Sequence, residues 1–167
     1  DAFREEMWNI IRKCPQHTFQ ILTKRPERIE ANTPSDLLHA DNIWFGTSVG
    51  SEKGKQRIYD LLNVDCKTRF ISFEPLHERV DMNLDLLDLL KIHWAIIGGE
   101  SGNETGKYRY RPCKVEWMEE LVKDLLPKQT EWNIKIEINH CETYKLDECN
   151  SKFSCCNQPT SIKITLI

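Results

Sequence analysis

Four apolar runs recur along the chain, each followed at once by glycine or polar residues. They are TFQIL at 18–22, IWFGTSV at 43–49, RFISF at 69–73 and HWAIIGG at 93–99. Continuous apolar runs of this length, closed by such residues, read as strands covered on both faces. Between them the apolar positions shift to helical spacing. Phe3, Met7, Ile10, Ile11 and Cys14 make one helical stripe, stopped by Pro15. Pro26 opens a short helix, and 33–36 starts another turn or short helix. Ser51 is placed to cap a helix holding Ile58, Leu61 and Leu62, and Asn83 one holding Leu84, Leu87 and Leu90. Val115, Met118, Leu121, Val122 and Leu125 give the last amphipathic helix, ended by Pro127. Residues 132–138 read as a fifth strand, and SIKITLI at 161–167 alternates like a short one.

The four runs end at Leu22, Val49, Phe73 and Gly99, spacings of 27, 24 and 26 residues. A βα unit repeating at this interval predicts a parallel sheet with right-handed crossovers. A full eight-unit barrel takes about 250 residues. The expectation is therefore an α/β fold: a partial TIM-type (β/α) barrel of about five parallel strands with flanking helices, or else a smaller doubly wound sheet. Residues 1–138 form the barrel domain in this reading. Residues 139–167 change character, being polar and cysteine-rich without a clear period, and read as a divergent tail that is a candidate for disorder.

Composition narrows the function classes. The 167 residues are 40% hydrophobic and 29% charged, as in ordinary globular proteins, and the net charge is −3. That balance gives no global attraction to nucleic acid or to a membrane surface. No apolar run approaches the roughly 20 residues of a bilayer span, and no signal peptide is visible, so the expected location is cytoplasmic with no membrane partner. The chain begins at Asp1 inside a helical pattern, which reads as a fragment. Seven cysteines are present. Cys14, Cys66 and Cys113 read as reduced thiols. His140 with Cys141, Cys149, Cys155 and Cys156 invites a zinc reading, but lacks paired CxxC spacing, so no metal ligand is assigned.

In parallel sheets, ligands bind beyond the carboxyl ends of the strands. The candidate ligand-binding residues are those at these ends. Lys24 and Arg25 are adjacent cations that should diverge, one toward a carboxylate or phosphate. Thr47 and Ser48 offer hydroxyls, which are equally suited to local backbone groups. Glu74 can accept a proton, bind a ribose hydroxyl or pair with a cation such as Arg25. Gly98 and Gly99 permit a close approach or simply a tight turn, with Glu100 and Ser101 following. Tyr108, Arg109, Tyr110 and Arg111 alternate aromatic and basic, a pattern for stacking bases and holding phosphates, or for an ordinary edge segment. No Walker or GxGxxG motif occurs, and no histidine completes a hydrolase triad, so catalytic residues are left unassigned.

The motifs QHTFQILTKRPER (16–28), NIWFGTSV (42–49), RFISFEPL (69–76) and WAIIGGESG (94–102) together resemble a poorly characterised phage-derived family, found in phages, prophages and bacteria. Members look like relatives of the radical-SAM TIM barrels. The resemblance covers about residues 3–125. It implies that full-length members carry an N-terminal three-cysteine motif for an iron–sulfur cluster, with S-adenosylmethionine as co-substrate. No cysteine here reproduces that motif, so no cofactor is expected in this chain itself. In radical-SAM barrels a Gly-Gly-Glu holds the ammonium of S-adenosylmethionine, though after an early strand; here the motif follows a late one. At 135–140 the sequence departs from the family pattern.

The expected function is that of a radical-SAM-like enzyme fragment, inactive alone without its cluster-binding segment. The alternative is a phage-derived accessory protein that binds a nucleotide or nucleic acid without catalysis. A small-molecule or nucleotide ligand is the expected partner, and an open sheet edge would favour self-association.

Overall fold

The computed structural model describes residues 1–100, 110–132, 135–139 and 161–166. Helix α1 (Ala2–Lys13) starts under an Asp1 cap whose carboxylate accepts from the Phe3 amide at 3.2 Å, and ends with Arg12 and Lys13 in its last turn. Both ends complement the helix dipole. Its buried stripe is Met7, Trp8 and Ile11. The expected stripe is thus rotated: Phe3 and Ile10 are exposed. The chain then forms β1 (Thr18–Thr23), a 3-10 turn at Pro26–Arg28, α2 (Ile29–Asn32) and α3 (Ser35–Leu38). β2 (Ile43–Ser48) leads through a second 3-10 turn, Glu52–Gly54, into α4 (Gln56–Leu62), and β3 (Thr68–Phe73) follows. After α5 (Leu86–Leu90) and β4 (Trp94–Gly98) come α6 (Val115–Trp132), β5 (Lys135–Asn139) and β6 (Ser161–Leu166).

Three local expectations change. Asp85, not Asn83, caps α5, because its carboxylate reaches the Asp88 amide at 2.8 Å. Ser51 makes no side-chain cap; the 3-10 turn intervenes before α4. Helix α6 runs through Pro127 to Trp132. A proline removes its own amide bond to the preceding turn but leaves later ones intact.

Every strand pairing is parallel, in the order β5-β4-β3-β2-β1-β6. Phe19 stands opposite Ile43, Trp44 opposite Thr68 and Phe70 opposite Trp94, each pair separated by 24 residues, as are Thr23 and Thr47. The expected count of about five strands is corrected. Four strands, β1 to β4, form the centre, and β5 and β6 are added as its two edges, so the described strands form an open sheet.

The two faces of this sheet differ. Phe19, Ile21, Ile43, Phe45, Ile71 and Phe73 share one cluster with the buried residues of α1 to α6. Leu22, Phe70, Trp94 and Ile96, at alternating positions, form a separate cluster with Trp44, and no helical residue belongs to it. The described helices therefore all pack on one face. A doubly wound sheet needs helices on both. On the second face Trp44 and Trp94 meet edge to face at 5.5 Å, and Phe70 lies 5.6 Å from Trp94. The Phe70 ring covers Gly46 on the next strand so closely that a Cβ there would come within 2.4 Å of it.

Candidate functional site

The carboxyl ends of β2, β3 and β4 are tied together by backbone bonds. The Val49 amide donates to the Ser72 carbonyl at 2.9 Å, His77 to Gly50 at 2.8 Å, and Leu76 to Gly98 at 2.8 Å. The Glu74–Pro75 peptide is cis. Gly50 is required by close approach, since a Cβ would sit 2.3 Å from the Pro75 carbonyl oxygen. Glu52 adds a further tie: its amide donates to Glu78 and its own carboxylate accepts from the Asp81 amide, both at 2.9 Å. The Asp81 bond, with Lys55 as a second cause, lowers the Glu52 carboxyl below its usual range.

Glu100 is half-buried beyond the buried glycines Gly98 and Gly99. It accepts from the Arg111 Nη2 at 2.8 Å, Nε at 2.9 Å and backbone amide at 2.8 Å. These bonds, first those of the guanidinium and then that of the amide, hold its carboxyl down at about 2, and the nearby His77 adds to the effect. Arg111 is raised in return. Two polar atoms around the same strand are buried without a hydrogen-bond partner among the described residues: Ser72 Oγ on β3 and His77 Nδ1 just after it. Buried polar atoms are nearly always paired, so such atoms mark places where a further partner fits. Ser72 shares the second face with Ser48, which it opposes in register, and Glu74 follows two residues on.

The structure brings together Glu74, Gly98, Gly99 and Glu100, and adds Arg111. Ser48 lies at the same edge, its carbonyl accepting from the Arg57 Nη1 at 2.9 Å. Thr47 does not belong with them. It is fully buried on the helix-bearing face, and its hydroxyl donates to the Thr23 carbonyl at 3.0 Å. Lys24 is exposed beyond β1, and Arg25 lines a cavity on the helix-bearing side instead of the strand mouth. Tyr110 is half-buried, and Arg111 is committed to Glu100. Ser101, Tyr108 and Arg109 lie outside the described residues, as do His140, Cys141, Cys149, Cys155 and Cys156 and most of the proposed tail. Ser72 and His77 are not among the residues that the sequence marks as candidates. Alternation along RFISFE puts Ser72 on the face of Glu74, so that signal was present; His77 has none beyond following the Glu74–Pro75 turn.

Among the described residues no three His, Cys, Asp or Glu side chains come together as a metal seat. Cys66 is buried, and desolvation pushes its thiol up to about 11. Cys14, Cys66 and Cys113, the free cysteines among the described residues, are not brought together as a ligand set. No described helix is long and apolar enough to cross a membrane.

Comparison with known proteins places these features in a family whose function is open. No curated protein and no solved structure matches the chain. A family model described as "protein of unknown function (DUF5131)" matches residues 1–144. That match spans most of the sequence, including all four central strands and the residues at their carboxyl ends, and the chain belongs to the DUF5131 family.

Proposed function

We propose that this chain is the ligand-binding part of a radical-SAM-like (β/α)-barrel protein, binding a small polar ligand of the S-adenosylmethionine type at the carboxyl edge of its sheet. The barrel reading draws on the one-sided placement of the helices and the unreversed order of β1 to β5. The observation that carries the ligand reading is the unpartnered Ser72 hydroxyl beside Glu74, with the His77 imidazole just beyond. A ligand hydroxyl or amine there would satisfy atoms that otherwise lose their hydrogen bonds on burial. Glu100 contributes less than its sequence suggests, because Arg111 already fills three of its roughly four acceptor positions. The chain by itself is read as inactive, with any reaction depending on a cofactor that its described residues do not hold.

The test is calorimetric titration of the chain with S-adenosylmethionine. Binding that falls at least tenfold in Glu74→Gln, with an unchanged unfolding midpoint, is the expected result. A large loss of stability would make Glu74 a structural ion-pair member, since breaking a buried pair costs about 3–5 kcal/mol. Absence of binding to the wild-type chain would remove the reading and turn attention to nucleotides and single-stranded nucleic acid, the alternative built on Tyr108 to Arg111. That alternative loses one cation to the Glu100 pair.

A further inference from the structure

A cavity of about 480 Å³ lies on the helix-bearing side of the sheet, between α1, the carboxyl end of β1 and the turn that leads into α2. Its inner wall is apolar: Met7, Trp8, Ile21 and Phe45 line it and are themselves at most 8% exposed. Its rim is cationic. Arg25 precedes the 3-10 turn and Arg28 closes it, and neither guanidinium has an ion pair or hydrogen bond among the described residues. Among the described residues of the lining the one acidic side chain, Asp1, is already matched by Arg4 at 3.7 Å. Its described lining residues therefore carry two positive charges, those of Arg25 and Arg28, that no described acidic lining residue offsets, above an apolar floor.

The wall is also held in place before any ligand arrives. Asn32 is the hub. Its backbone carbonyl accepts from the Trp8 indole at 3.1 Å, its side-chain amide donates to the Arg28 carbonyl at 2.7 Å, and its side-chain oxygen accepts from Arg4. Thr33 closes the same turn by donating to the Ile29 carbonyl at 2.8 Å. Fixing the indole and the arginine-bearing backbone in advance lowers the ordering cost of binding. The volume lies within the usual range for small-molecule sites, which pair an apolar lining with a few placed polar groups.

We infer that this cavity is a second binding site, separate from the strand mouth, for an aromatic compound bearing a phosphate or carboxylate. The ring would lie against Trp8, Ile21 and Phe45, and the anion would be gripped by Arg25 and Arg28, whose planar forks suit oxyanions. The site does not depend on the proposed radical-SAM-like function, because it is on the opposite face of the sheet and shares no residue with the edge around Glu74.

The probe is 1-naphthyl phosphate, titrated calorimetrically into the whole chain, with inorganic phosphate alongside. One-to-one binding is expected, at least tenfold tighter than inorganic phosphate. The double variant Arg25→Gln/Arg28→Gln should lose at least tenfold in affinity with an unchanged circular dichroism spectrum. Arg12→Gln removes a charge from α1 outside the cavity and should stay within twofold of wild type. On the unmodified protein, the Trp8 indole N–H resonance, assigned with Trp8→Phe, should shift on titration. Equal affinity for inorganic phosphate, an unmoved Trp8 signal, or full affinity in the double variant would each overturn the assignment.

Discussion

Arg111 saturates most of the Glu100 carboxylate from 11 residues away, using two guanidinium nitrogens and its own backbone amide. The pair holds Arg111 against the carboxylate that follows the end of β4. Its consequence is electrostatic: a carboxylate at the sheet edge that stays ionised far into acid, and that answers to Arg111 before it answers to a ligand.

Because the folded-state value of Glu100 is lowered, its contribution is complete above the ordinary carboxyl value of 4.5 and is lost as pH falls through about 2. Arg111→Gln should raise the Glu100 midpoint from about 2 back toward 4.5, read by carboxyl-carbon NMR. Arg111→Lys should recover only part of the shift, since an ammonium keeps the charge but not the fork.

The contact between Gly46 and Phe70 leaves no room for a methyl group. Gly46→Ala should destabilise the protein by about 1–3 kcal/mol through overpacking, measured by urea unfolding. Combined with Phe70→Leu the loss should be smaller than the sum of the two single changes, because the smaller side chain vacates the space. Strict additivity would mean that the ring is displaced without resistance.

Thr47 and Ser72 make a matched pair of buried hydroxyls, one bonded and one not. Thr47→Val should lose about 1 kcal/mol, the usual worth of a satisfied hydrogen bond, with no effect on ligand affinity. Ser72→Ala should leave stability unchanged or raise it, since it deletes an unsatisfied polar atom, and should weaken binding at the strand mouth. A Ser72→Ala variant as damaged as Thr47→Val would contradict this assignment.

His93 Nδ1 accepts from the Arg69 amide at 3.1 Å, a bond that needs the unprotonated ring. Burial first, and then the Arg69 charge, lower its pKa below 6.5. The folded state therefore binds fewer protons there than the unfolded one. Stability from this group is present above 6.5 and declines as pH falls below it. The unfolding midpoint should drop as pH falls below 6.5, and His93→Gln should remove that part of the slope.

Much of the sheet was legible because its strands are continuous apolar runs, and their near-regular spacing survives as the 24-residue register. Local capping was less so. Asn83 and Asp85 are both good cap residues, and only the helix start decides which carboxylate or amide meets an amide three residues on. The separation of Thr47 from Ser48 follows from strand alternation, yet which face carries helices depends on crossover geometry that single positions do not encode. Arg25 leaves the strand mouth because the chain turns after Thr23, whose hydroxyl accepts from the Arg25 amide at 3.0 Å. The Arg111–Glu100 pair has no local pattern at all, since it spans a polar segment with no periodicity.

The constant register offset also bears on the order in which the chain assembles. Each of β2, β3 and β4 meets its partner after a loop of the same length, so each closure carries a similar and modest entropic cost. Such local pairing favours rapid, stepwise docking of each new unit on the one before. β6 is the exception, returning from the far end of the sequence to the outer edge of β1. During synthesis the centre of the sheet can therefore form as it leaves the ribosome, while that edge of β1 waits for Ser161–Leu166 to be made.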